Sequence, residues 1–244
     1  MARYEQIAFA KQRKWQQDMQ KSPGFFNEVA RKLQARINKT IPQKVHDVVT
    51  ATIKQMTRAV IFGAGYTTKS PSQYASLEQL ELAVQEKIKV YRRTAAAEGG
   101  VTGAGGILLG FADFPIWLSI KMKMLFDIAA QYGYDTNDFR ERLYLLHIFQ
   151  LTFSTQHKRK ELFQVMKNWK VESARFQDIN SFDWQTFQIE YRDYIDLAKL
   201  LQMIPGVGAP VGIIVNHRLT NKLGLMAMNA YRLRLIQDRR LLLV

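Results

Sequence analysis

Gly99 to Asp135 reads GGVTGAGGILLGFADFPIWLSIKMKMLFDIAAQYGYD, and this stretch decides what kind of chain it belongs to. Six of its first eight residues are Gly or Ala, and from Gly99 to Ile120 the only charge is Asp113. Past the glycines the residues are apolar on almost every side and have helical composition. A second stretch near the C-terminus echoes it: Leu201 to Val215, LQMIPGVGAPVGIIV, carries no charge. Each is expected to come after a charged helix and to run on into another helix.

Glycines stand four apart at Gly99 and Gly103, Gly106 and Gly110, and Gly208 and Gly212. On a helix this spacing strips one face of side chains and lets a neighbouring backbone come close. Small-rich sequence produces such spacing by chance. Three copies falling in the two least charged segments carry more weight than any one. A phosphate-binding loop is excluded because no Lys-Ser or Lys-Thr comes after the glycines. The dinucleotide fingerprint fails at its last glycine, and no strand precedes it.

The 22 residues from Gly99 to Ile120 would make a helix ~33 Å long, close to the ~30 Å hydrocarbon core. Asp113 argues against a span, at about 2.5–3.5 kcal/mol near the bilayer centre, and so do Pro115 and six glycines. The second stretch, at 15 residues, is too short to cross. Both fit close-packed or shallowly inserting helical hairpins better.

The chain has no cysteine, which removes disulfides, thiolate catalysis and Cys-based metal sites. Its four histidines never share i, i+3 or i+4 spacing. No metal and no cofactor is expected. The N-terminal MARYEQIAFAKQRKWQQ lacks the apolar core of a signal peptide, so a cytoplasmic protein is expected. Residues 1–69 hold 13 Lys and Arg against 4 Asp and Glu; residues 216–244 hold 6 against 1; the middle is balanced at 16 each. The formal charge of +14 thus lies in the two ends. That asymmetry points to a polyanion, namely an anionic membrane surface or lipid. Solvated basic helices are the plain alternative. No nucleic-acid module is recognisable, which argues against a nucleic-acid partner.

In chain order, residues 2–21, 25–38 and 42–62 read as basic amphipathic helices, separated by Ser22-Pro23-Gly24 and entered again at Pro42. Such helices either cover a core or lie in a membrane interface. Polar residues 66–76 mark a boundary between a basic arm, 1–69, and a helical body, 70–244. Leu77, Leu80, Val84, Ile88 and Tyr91 then define a packing helix, whose acids Glu81 and Glu86 are expected to find local partners. The helix from Pro115 to Gln131 carries Lys121 in an apolar stripe and a Lys123–Asp127 pair, and Gly133 suits its end. Further helices are expected at 138–155, at 158–172 and from Asp183 to Gln202. The fold class is all-α, a single multi-helix body with glycine-rich apolar hairpins.

On the helix from Asp183, Glu190, Asp193 and Asp196 lie three apart along one edge. Carboxylates so placed can bind a hard cation or serve acid–base chemistry, yet Arg192 and Lys199 offer local counter-charges, so a salt-bridge network is the simpler reading. With Asp113 they are the candidates for a hydrolase, the alternative function. No G-x-S-x-G or H-E-x-x-H string supports that alternative. Asp113, just before Phe114-Pro115, is expected to cap the next helix; a long-range pair with Lys121, Lys199 or Arg232 is the other solution. A membrane-facing or ligand pocket is expected to draw on Gly103, Gly106, Gly110 and Asp113. From the rest of the chain it would take Lys121, Lys199, Gly208, Gly212 and Arg232.

Seven strings resemble the EcsC protein family in order and spacing: Gly110-Phe-Ala-Asp-Phe-Pro115, Ile120-Lys-Met-Lys-Met-Leu125, Tyr132-Gly-Tyr-Asp135, Glu190-Tyr-Arg-Asp193, Ala198-Lys-Leu-Leu-Gln202, Ile204-Pro-Gly-Val-Gly208 and Asn229-Ala-Tyr-Arg232. The resemblance covers residues 41–235. It implies a mostly helical bacterial protein often associated genetically with an ABC transporter, and it carries over no catalytic residue. The expected function is peripheral membrane association, with lipid binding or support of a transporter or envelope process.

Overall fold

Ser76 starts the first long helix of the body. Its hydroxyl accepts a hydrogen bond from the Gln79 backbone N–H, and its carbonyl accepts one from Leu80. From there Leu77, Val84, Ile88 and Ala95 turn one buried stripe inward. In the computed structural model, residues 3–21, 74–104, 114–178 and 208–238 are described, together with 182 and 187. They hold seven α-helices and no strand. These are α1 (Arg3–Gln20), α2 (Leu77–Ala104), α3 (Phe114–Gln131), α4 (Phe139–Phe153), α5 (Gln156–Lys167), α6 (Trp169–Glu172) and α7 (Gly208–Gln237), with a 3-10 turn over Ser173–Arg175.

α2 and α7 form the axis of the body. Gly99 meets Gly212, Ile88 meets Gly224 and Glu81 meets Arg232, so the two helices run antiparallel along most of their length. The glycines set how closely they approach. A Cβ on Gly99 would lie 2.7 Å from the Gly212 carbonyl oxygen and would also strike the Asn216 amide. One on Gly224 would stand 2.7–2.8 Å from three carbons of Ile88. The glycine contact expected of the two neutral stretches is therefore made between them. The end of α2 crosses the beginning of α7.

α3 packs on both axial helices, and α4 lies against α7 and α5. The turn between α3 and α4 is dictated by its residues. Gly133 takes φ 78, Tyr134 N–H returns to the Ala129 carbonyl and Gly133 N–H to that of Ala130, closing α3. Asp138 then caps α4 by accepting from Arg140 N–H. Twelve of the fifteen residues of α4 are buried, which makes it the centre of the core. The helix expected over 158–172 is broken at Asn168, whose carbonyl receives the N–H groups of Val171 and Glu172. The break turns Trp169 inward, where its ring packs on Tyr144 and His147.

α1 seats Ala8, Phe9, Trp15 and Met19 on the body. Trp15 stands edge-on to Phe163 and donates its indole N–H to the Met226 sulfur. The expected boundary near residue 70, the helices at 25–38 and 42–62, and nearly all of the helix from Asp183 to Gln202 lie outside the described residues. No helix among the described residues is long and apolar enough to cross a membrane.

The two glycine contacts differ in what blocks a side chain. Gly99→Ala is expected to destabilise the protein by about 1–3 kcal/mol, because the obstruction is backbone. Gly224→Ala meets Ile88 first, so its cost should shrink when Ile88 is replaced by Ala. Urea unfolding of the four variants in a double-mutant cycle measures that coupling. An unaltered cost for Gly224→Ala in the Ile88→Ala background would mean that the helices are held apart by something else.

Candidate functional site

At the end of the body where α2 finishes and α3 and α7 begin, the Gly99–Gly212 crossing is tied by polar side chains. Trp117 donates its indole N–H to the Asn216 side-chain oxygen, and the Asn216 amide donates to Glu98 at 3.0 Å. Lys121 is fully buried, with its ammonium 3.7 Å from the centre of the Trp117 ring. Near this polar knot three isoleucines are exposed. Ile116 is 54% exposed, Ile213 43% and Ile214 50%. Three isoleucines outside water-excluded contact at one end of a helical body make the strongest candidate interaction surface.

Arg232 belongs elsewhere. It lies five turns further along α7, roughly 30 Å from Gly212 at 1.5 Å per residue. Its guanidinium makes two hydrogen bonds to Glu81, one through Nε and one through Nη2. Tyr4 donates to the same carboxylate at 2.7 Å and Tyr132 at 3.3 Å. Burial opposes the charge on Arg232, but Glu81 outweighs it and holds the guanidinium above its ordinary value. The expected local partner of Glu81 is thus replaced by one 151 residues away. A second buried pair, Arg234 with Glu141, stands beside it, and Tyr231 donates to Glu141 at 2.6 Å. The Arg234 guanidinium lies 4.1 Å from the Tyr134 ring centre and 4.7 Å from that of Tyr144. Both carboxylates are enclosed by cations and phenols, which makes them structural groups.

Lys121 and Arg232, expected in one pocket, therefore sit in separate buried clusters. Gly103 falls in the last turn of α2, and Gly208 and Gly212 in the first turns of α7. Gly106, Gly110, Asp113, Glu190, Asp193, Asp196 and Lys199 lie outside the described residues, as does the expected Asp113 cap. The Lys123–Asp127 pair forms as expected. Lys87 at 3.7 Å and the Tyr91 hydroxyl at 2.7 Å join Asp127 as well. Among the described residues no three His, Asp or Glu side chains gather as a metal site would require. The Ile213-Ile214 pair sits within the second neutral stretch, and sequence reasoning does not single it out. Its signal is the i, i+4 relation to His217 and Arg218, an apolar pair one turn from a polar pair that includes a cation.

His147 is the buried titratable group of α4. Its Nδ1 is 2.8 Å from the Leu143 carbonyl oxygen, and Trp169, Phe176 and Phe182 surround the ring. Burial holds it down to about 4. The unfolded chain takes up this proton near pH 6.5, well before the native state does, so stability falls as pH drops from about 6.5 to about 4. The loss approaches about 3 kcal/mol. His147→Phe should remove this part of the slope, which unfolding curves across that range would register as a flatter pH dependence in the variant than in the parent.

The buried pairs predict a second result. Glu81→Gln leaves Arg232 buried without its counter-charge, and a loss of about 3–5 kcal/mol is expected. Glu81→Leu combined with Arg232→Met should cost much less than the sum of the two single changes. Additive losses would place the two side chains in independent roles.

Comparison with known proteins places the chain in a family. The EcsC protein family matches residues 6–236, so the likeness takes in α1 and begins well before residue 41. Protein EcsC of Bacillus subtilis (strain 168) is 44% identical over 226 residues, spanning 92% of this chain and 93% of that protein. Uncharacterized protein YdbA of the same organism is 27% identical over 248 residues, spanning 93% of this chain and 90% of its own length. No solved structure matches the chain significantly. The chain belongs to the EcsC protein family.

Proposed function

We propose that this protein is a peripheral membrane protein that seats the Gly99–Gly212 end of its helical body in the surface of an anionic bilayer. The observation that carries the reading is the exposure of Ile116, Ile213 and Ile214 around that crossing. The described parts of the two apolar stretches lie where α2 finishes and α3 and α7 begin. The excess of basic residues in residues 1–69 and 216–244 supports attraction to anionic lipid. In this reading the protein works at the cytoplasmic face of the membrane, where lipid or a membrane partner such as an ABC transporter is within reach. A hydrolase would have to draw on Asp113, Glu190, Asp193 or Asp196, and no described residue adds to that alternative.

Each half-exposed isoleucine contributes about 1 kcal/mol on entering the acyl boundary, half of the value for full burial. Ile116→Ser with Ile214→Ser should therefore lower partition onto mixed phosphatidylcholine–phosphatidylglycerol vesicles by about tenfold or more. The thermal midpoint should change little, because both side chains are exposed. Vesicle co-sedimentation measures the partition. Undiminished binding by the double variant would show that this end of the body does not face the membrane.

A further inference from the structure

Behind the isoleucines, α7 changes character within one turn. Residues four apart lie above one another on a helix. Ile213, His217 and Asn221 therefore share one stripe, and Ile214, Arg218 and Lys222 the next. Arg92 of α2 joins them across the helix pair, its Nη1 donating to the Asn221 side-chain oxygen at 3.2 Å.

Several cations of the body are neutralised by acids. Lys87, Lys89, Lys123, Arg232 and Arg234 each pair with a carboxylate. Arg92 and Arg218 have no ion-pair partner among the described residues, and the Arg92 Nε is buried with no hydrogen-bond acceptor. Of the acids six residues to either side of Arg92 on α2, Glu86 pairs with Lys89 and Glu98 accepts from the Asn216 amide. Burial and the positive fields of Arg92 and Arg218 keep the His217 imidazole below its ordinary value. Lys222 is lowered to about 8 by burial and by Arg159. Arg92 and Arg218 thus carry positive charge on either side of an imidazole.

We propose that His217 and Arg218, one turn behind the isoleucines that enter the bilayer, form with Arg92 at the following turn a receptor for the phosphate of an anionic phospholipid headgroup. The inference rests on the membrane reading above and names the lipid group that the same surface takes. The dimensions agree. Four residues of helix separate Ile214 from Arg218, about 6 Å. The headgroup layer of one leaflet, half the difference between a ~30 Å core and a ~40–45 Å bilayer, is about 5–8 Å thick. The Arg218 guanidinium at that depth meets phosphate and can bind it through two parallel N–H donors.

The test compares Arg92→Gln with Arg218→Gln in one chain against a charge-matched control, Lys11→Gln with Lys160→Gln, whose parent side chains are exposed on α1 and α5. Vesicles are phosphatidylcholine alone or mixed with phosphatidylglycerol. The receptor pair should lose about thirty-fold in partition onto the mixed vesicles, each basic side chain contributing about fivefold, and its salt dependence should weaken. The control should lose far less, and Arg92→Lys should retain most of the binding. Thermal midpoints report folding, and the Arg92→Lys comparison separates charge from the lost Asn221 contact.

If the receptor pair binds mixed vesicles as well as the control does, the receptor is wrong while the membrane reading stands. If the parent chain binds neither vesicle, the membrane reading itself is wrong and the receptor falls with it. If inorganic phosphate raises the midpoint of the parent but not of the receptor pair, and vesicles recruit neither, the cluster takes a soluble anion and the lipid assignment is overturned.

Discussion

Close approach of two long helices governs this molecule. Gly99 and Gly212 bring the backbones of α2 and α7 together at one end, and Gly224 accepts Ile88 nearer the middle. With the axis this narrow, side chains on the two helices meet directly, which lets Glu81 grip Arg232 and Arg92 reach Asn221. Bulkier residues at the crossing would push the helices apart and part these pairs. Every other helix packs against this axis or against one that does.

The two ends of the axis solve opposite problems. At the Glu81–Arg232 end, charges are buried; each buried arginine has its carboxylate, and each carboxylate accepts from phenols. That arrangement meets the requirement for burying an ion, whose desolvation costs several kcal/mol unless paired and hydrogen-bonded. At the Gly99–Gly212 end, isoleucines face outward and arginines lack acids among the described residues. Arg218 is exposed there, so its charge is solvated and stays available to an external anion.

Local chemistry made several features legible before any coordinates. Gly133 after the apolar run of α3 and the Lys123–Asp127 pair both act within a few residues, so spacing alone reveals them. The break at Asn168 was not legible, because the pull on Trp169 comes from Tyr144 and His147, which lie elsewhere in the chain. Nor was the partner of Glu81. Sequence suggests neighbours three or four residues away, whereas burial favours whichever cation the fold carries to the same depth.

By itself the sequence determined the helical class, the glycine-bearing neutral stretches and the concentration of basic charge at the two ends. Periodicity, backbone freedom and charge are properties of short segments and survive without a fold. Only the tertiary structure decided that Gly99 meets Gly212, that Arg232 is enclosed with Glu81, and that Arg92 stands beside His217 and Arg218. Those relations span from about a hundred to more than a hundred and fifty residues, and helix packing, which buries whichever faces fit most closely, is what selects them.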